Sequence, residues 1–194
     1  MYVAFDIGRV LLELNFEPFF KKYNELHLNQ IEDSMAFLCD LQTRQDLGLT
    51  TISYELKVKF GIFECKELID AWNEMLIPNE IMMKYLAKLK SEGYNVALLS
   101  NIGFVHLRYI KENIPELLEG CDLHLSCEVG ARKPSKLYFK SFLLEHPDYF
   151  GCAYLDDLSK NISMGKKYMF NAIQFNLENG DEKKLDKIRR RIEG

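Results

Sequence analysis

Residues 2–5, Tyr-Val-Ala-Phe, form an apolar run of the kind that fills a strand buried on both faces of a parallel sheet. Asp6 follows at once, then Gly8, then a second apolar run from Val10 to Leu12. A chain that opens this way delivers a carboxylate to the C-terminal end of a buried strand, and in open α/β sheets that end faces the crevice where ligands bind. Asp is also a common turn residue, so the stretch alone leaves a chemical and a local role for Asp6 evenly matched.

From Asn79 onward the pattern alternates between helix and strand, the signature of a parallel sheet with crossover helices. Helices are expected over residues 81–90, 104–112, 136–144 and 159–169. Strands are expected over 95–99, 123–127, 152–155 and 172–175, with a loop at 130–134 and Pro115 lying beyond the end of its helix. Between the two parts, residues 16–77 show helical periodicity with almost no strand signal. Phe37, Leu38 and Leu41 give one apolar face there, and Leu56, Phe60 and Phe63 another, while Thr50, Thr51 or Ser53 caps a helix. The expected organisation is an α/β core of residues 1–14 and 79–194 with a helical insertion over 15–78.

Composition narrows the function. A chain of 194 residues with 47% hydrophobic content buries a substantial core. A net charge of −4 and a pI near 5.7 argue against nucleic acid or an acidic membrane and favour a small molecule as partner. No apolar run reaches the length of a membrane span, and the N-terminus enters a strand pattern without a basic leader, so a cytoplasmic protein, monomer or dimer, is expected. The five cysteines are odd in number and lack C-x-x-C spacing, which indicates neither a disulfide framework nor a zinc site; Cys127 and Cys152 read as core residues in strands. The C-terminal run 181–193 carries Leu185, Ile188 and Ile192 on one stripe, and its basic residues Lys183, Lys184, Lys187 and Arg189 to Arg191 read as the solvated face of a terminal helix.

Parallel strands place their C-terminal ends on one rim. Asp6, Ser100 with Asn101, Lys133 and the pair Asp156-Asp157 therefore converge. Carboxylates, a hydroxyl and an ammonium together suit phosphoryl transfer with a divalent metal, because a carboxylate nucleophile can approach an anionic phosphoryl group only when a hard cation and a lysine offset the repulsion. In that chemistry Asp6 and Asp157 hold Mg²⁺, with Asp156 in or beside the coordination shell and the Gly8 carbonyl as an uncharged ligand. Lys133 neutralises charge on Asp6 and phosphate, Ser100 and the backbone N–H groups at Asn101 bind phosphoryl oxygens, and Asn161 holds a metal-bound water.

In this order and at these separations, DIGRVL, LLSN, ARKPS and YLDDLSKNI resemble the four sequence motifs of the haloacid dehalogenase superfamily of hydrolases, across the whole chain. Within it the chain is most similar to phosphatases with a small helical cap inserted after the first motif, including those acting on sugar phosphates such as hexose 1-phosphates. The resemblance implies a Rossmann-like core of strand order 5-4-1-2-3 and a cap that closes over a small phosphorylated metabolite. It implies Asp6 as nucleophile forming an aspartyl-phosphate, Ser100 binding and Lys133 stabilising the phosphate, and Asp157 with Asp156 as Mg²⁺ ligands.

One position departs from the pattern. Most phosphatases of the superfamily carry a second Asp two residues after the nucleophile as general acid and base, and here that position is Gly8. Loss of a positioned proton donor costs roughly 10²- to 10⁴-fold in rate. Either the substrate has a fair leaving group, such as an anomeric oxygen, or another group serves, with His106 the candidate against a packing role for that histidine. Arg9 either clamps phosphate or a substrate carboxylate, or turns to an acidic residue such as Glu13. Arg44 and Asp46 are expected to reach over the site from the cap, or else to serve a helix terminus. A metal-independent 2-haloacid dehalogenase also lacks the second Asp, but two adjacent aspartates beside a third repel without a cation. A catalytically poor domain kept for binding is the remaining alternative.

Overall fold

The computed structural model of the chain describes residues 1–30 and 32–193. Seven strands run in chain order as β1 (Tyr2–Phe5), β2 (Leu12–Leu14), β3 (Leu76–Pro78), β4 (Asn95–Ser100), β5 (Cys121–Leu125), β6 (Ala153–Asp156) and β7 (Asn171–Gln174). Five of them form a parallel sheet in the order β5-β4-β1-β6-β7. Numbered by appearance in the core this is 3-2-1-4-5, the expected order read from the opposite edge. β1 is central, with Val3 opposite both Val96 and Ala153.

The pleat sorts the strand residues by size. Val3, Phe5, Val96, Leu98 and Leu155 point to one face and join one core cluster. It is covered by α5 (Glu80–Ser91), α6 (Phe104–Asn113) and, through Ile188, α11 (Leu185–Glu193). Ala4, Ala97 and Ala172 point to the other face, where α9 (Lys136–Glu145) and α10 (Ser159–Lys167) cover the sheet. Small strand residues leave room there for an aromatic layer of Tyr138, Phe139, Phe142, Tyr149, Tyr154 and Phe170. The architecture is the expected Rossmann-like α/β sheet, and among the described residues no helix is long and apolar enough to cross a membrane.

Two expectations need correction, the strand over 123–127 with the placement of the cysteines, and the absence of strand from the insertion. The strand expected over 123–127 ends two residues earlier, because Ser126 leaves the ladder to exchange hydrogen bonds with the Ile102 backbone at 2.9 and 3.3 Å. Cys127 thus lies on the short helix α8 (Ser126–Val129), and Cys152 directly precedes β6. Pro115 does lie beyond the end of α6, and it opens the one-turn helix α7 (Pro115–Leu118) at its first position, where its missing N–H costs nothing. The insertion is not purely helical: at its root β2 and β3 pair antiparallel, Leu12 with Pro78 and Leu14 with Leu76. The side chains of Lys187 and Arg191 in the basic C-terminal run lie outside the described residues; Arg189 there pairs with Glu92 at 3.3 Å.

The insertion carries α1 (Glu17–Glu25), α2 (Ser34–Asp46), α3 (Ile52–Phe60) and α4 (Lys66–Glu74). Thr51 caps α3 by accepting from the Tyr54 N–H, and Phe19, Leu41, Leu56, Leu68 and Trp72 form its apolar centre, continuous with the core below. Two glycines let α2 settle on the core. A Cβ at Gly103 would meet Gln45 at 3.1 Å, and one at Gly48, where φ is +71°, would meet the Cys127 carbonyl oxygen at 2.6 Å. Gly48→Ala is therefore expected to destabilise the fold by about 2 kcal/mol. Thermal denaturation checks this as a Tm roughly 4–8 °C lower.

Candidate active site

The rim residues meet where the core strands end. The Asp6 N–H continues the β1 ladder to the Leu155 carbonyl at 2.8 Å, and its Oδ1 accepts from the Ile7 N–H at 2.8 Å and lies 3.0 Å from Lys133 Nζ. Lys133 is 2% exposed, and its three ammonium protons meet three acceptors: the Leu99 carbonyl at 2.5 Å, Asp156 Oδ2 at 2.6 Å and Asp6 Oδ1. Burial alone would weaken its hold on a proton, but Asp156 and Asp6 raise its pKa above the ordinary lysine value.

Asn101 grips the Lys133 peptide from both sides, donating to its carbonyl at 2.9 Å and accepting from its N–H at 2.7 Å. The Asn101 side chain thus fixes the lysine rather than facing a phosphate. Asp156 is saturated too. Besides Lys133, its oxygens accept from the Tyr154 hydroxyl, the Leu158 N–H at 2.9 Å and the Asn161 amide at 2.9 and 3.1 Å. Asp157 is less encumbered, with Arg9 Nη1 3.7 Å from its Oδ2.

Asp6, Asp156 and Asp157 bring ligand oxygens within 4.8 Å of one another. Burial pushes the Asp6 carboxyl up to about 7, with repulsion from Asp156 and Asp157 adding to it against the pull of Lys133. Burial and Asp156 raise Asp157 in the same way. Asn161 Oδ1, buried beside this cluster, has no hydrogen-bond partner. Excess carboxylate charge with an unused oxygen beside it is a donor set that fits a hard divalent cation with its water.

Above this cluster lies a cleft of two chambers. The charged one, about 130 Å³, is lined by Asp6, Ser100, Arg132, Lys133, Asp157 and Asn161. The other, about 220 Å³, is walled by Trp72, Met75, Leu76, Val105, His106 and Ile110. Gly8, Arg9, Gln42, Asp46, Ser100 and Asn101 line both.

Some candidates sit differently from the sequence expectation. His106 faces the larger chamber, but its ring stacks on Trp72 at 4.9 Å and its Nε2 proton is given to the Trp72 carbonyl at 2.9 Å. Burial lowers its pKa to about 4. A neutral histidine with a committed proton is a weak acid or base, and the geometry favours packing between α6 and α4. Arg44 does not reach the cleft: it donates to Asp40 at 2.8 Å and to the buried Glu55 at 2.5 Å, drawing the Glu55 carboxyl down to about 2. Arg9, at φ +56°, turns to Glu178 at 2.7 Å and not to Glu13, which accepts from Asn79 at 2.6 Å. Asp46 does reach the cleft, held through Oδ2 by Arg132 at 2.9 Å. Neither Arg132 nor Tyr154 was singled out by sequence reasoning. Tyr154, two residues before Asp156 on β6, necessarily shares its face, which was a usable signal.

No family model matches the chain. Among solved structures, a HAD family enzyme from Bacteroides thetaiotaomicron superposes with a TM-score of 0.78 at 23% identity, over 89% of this chain and 92% of that one. The same enzyme complexed with magnesium and inorganic phosphate gives 0.76. A predicted HAD-like family hydrolase from Porphyromonas gingivalis gives 0.73 at 18% identity over 97% of both chains. The chain has the haloacid dehalogenase fold. In a HAD fold of this order the C-terminal ends of β1, β4 and β6 lie side by side, which is why residues as distant as Asp6, Ser100 and Asp157 reach one cleft.

Proposed function

We propose that the protein is a Mg²⁺-dependent phosphatase that hydrolyses small phosphate esters through an aspartyl-phosphate on Asp6. The observation that carries this reading is the buried Asp6–Lys133–Asp156 chain, with bonds of 3.0 and 2.6 Å, whose Asp6 and Lys133 line a charged chamber. Ile7 N–H and Lys133 occupy Asp6 Oδ1, which leaves Oδ2 to attack phosphorus. Ser100 holds a phosphoryl oxygen, the Lys133 ammonium beside Asp6 offsets the negative charge as it redistributes, Asn101 keeps Lys133 in place, and Tyr154 and Asn161 keep Asp156 fixed behind it. Asp6, Asp157 and the Gly8 carbonyl would hold Mg²⁺ with Asp156 beside it, and the ion would neutralise the anionic phosphate. The larger chamber, lined by both Gln42 and Trp72, supports a polar ring-sized leaving group such as a hexose of a hexose 1-phosphate. The magnesium-and-phosphate complex of the Bacteroides enzyme supports the same chemistry.

Phosphate release from p-nitrophenyl phosphate and a panel of sugar phosphates, with and without Mg²⁺, tests the proposal. Turnover that vanishes with EDTA and returns with Mg²⁺ is expected. Metal-independent halide release from 2-haloacids would identify a dehalogenase, and absence of all turnover a binding domain.

A further inference from the structure

We propose that Asp46, supplied by the cap, is the proton-transfer residue that position 8 of the core lacks. The inference rests on the phosphatase reading and adds to it a catalytic residue from a different segment of the chain. A Cβ at Gly8 would meet only Leu14 Cδ1, at an ordinary 3.5 Å, so the space a longer residue would take belongs to the cleft. Asp46 borders both chambers of that cleft, as Gly8 does, and among the described residues no other carboxylate borders both. It is 4% exposed, at the last turn of α2, which the two close-packed glycines Gly48 and Gly103 bring down onto the core. Arg132 holds Oδ2 at 2.9 Å and is itself fixed to Thr43 at 2.8 Å. That leaves Oδ1 for the substrate.

The surroundings suit proton exchange near neutrality. Burial raises the Asp46 carboxyl to about 6, against the pull of Arg132 in contact and Lys133 beyond it. On α8, packed against α2, the Cys127 thiol is pushed up to about 11 by burial and stays neutral. The other cleft candidates are committed: His106 to Trp72, Asp6 to attack, and Asp157 to the acidic cluster. In the first half-reaction the Asp6 Oδ2–phosphorus bond forms, the bond from phosphorus to the ester oxygen breaks, and that oxygen takes the proton of Asp46. In the second, water attacks phosphorus and returns a proton to the Asp46 carboxylate as the bond to Asp6 breaks. The sum is ester plus water giving alcohol plus phosphate.

The test compares wild type, Asp46→Asn, and Asp46→Asn combined with Gly8→Asp, on p-nitrophenyl phosphate and on glycerol phosphate. Asp46→Asn is expected to lower kcat on glycerol phosphate by roughly 10²- to 10⁴-fold. On p-nitrophenyl phosphate, whose leaving group needs no acid, it gives a stoichiometric burst of nitrophenol followed by slow turnover, as phosphorylated enzyme accumulates. The limb of the kcat–pH profile near pH 6 disappears, and Gly8→Asp restores turnover in the double variant. Equal losses on both substrates with no burst and no rescue would make Asp46 merely structural and overturn the proposal, as would an unchanged kcat on glycerol phosphate. A wild type inactive on both substrates with Mg²⁺ would overturn the phosphatase reading itself.

Discussion

Asp6→Asn is expected to lower phosphate release by on the order of 10⁴-fold or more, because the amide offers no nucleophile while its shape and its contact to the Ile7 N–H are nearly kept. The fold itself should gain in the absence of metal. A carboxyl raised from its ordinary range to about 7 favours the unfolded state increasingly as pH climbs from about 4 through 7, and the penalty is fully present above that. The amide removes the penalty. Metal-free Asp6→Asn should therefore melt above wild type at pH 8, with the gap closing below pH 4, while Lys133 keeps the Leu99 carbonyl and Asp156. Mg²⁺ reverses the ranking: a ligand at a hundred times its Kd adds about 2.7 kcal/mol to the form that binds it, and the variant has lost one of the anionic oxygens. Phosphate release and thermal melting with and without Mg²⁺ measure both effects. Residual turnover within tenfold of wild type would place the nucleophile elsewhere.

The second large effect is at Lys133. Lys133→Met keeps an unbranched apolar stem but removes the one ammonium bonded to both Asp6 and Asp156. Breaking a buried ion pair by deleting one partner costs about 3–5 kcal/mol, since the remaining charge stays buried and unpaired. In a chain of this size that corresponds to a Tm lower by roughly 6–20 °C at pH 8. The deficit should shrink at pH 5, where the Asp6 carboxyl, pushed up by burial, takes a proton, and shrink also with Mg²⁺, which supplies positive charge to the same cluster. Activity should return in neither case, because the ammonium that sets the charge and position of Asp6 is gone. Urea denaturation at the two pH values, with and without Mg²⁺, separates these contributions.

Residues that act along their own strand were legible in the sequence. Tyr2–Phe5 has the bounds its apolar run demands, and Asp6, Ser100 and Asp156 stand at strand ends because buried runs stop at polar residues. What escaped reading depends on contacts between distant segments. Three-residue strands such as Leu12–Leu14 are too short to show a period of two, so the ribbon at the root of the insertion left no trace in the pattern. Arg132 bonds Thr43, 89 residues away, and nothing local to either announces it. Arg44 and Asp46 sit two positions apart on one helix, and that spacing turns them to different sides: one inward to Glu55, the other over the cleft. His106 looked available because its neighbour in space, Trp72, lies on α4, 34 residues away.

The antiparallel pairing of Leu12 with Pro78 means that the inserted segment leaves and re-enters the core through adjacent positions, Cα atoms about 5 Å apart. A segment anchored so closely closes no wide loop, and its length is nearly free to vary. The ribbon is thus a socket: segments of other sizes can be grafted onto the same two rungs without disturbing Asp6 or Lys133. On the reading given for Asp46, a grafted segment brings with it both the shape that selects the leaving group and the acid that protonates it, so the two properties are inherited as one unit.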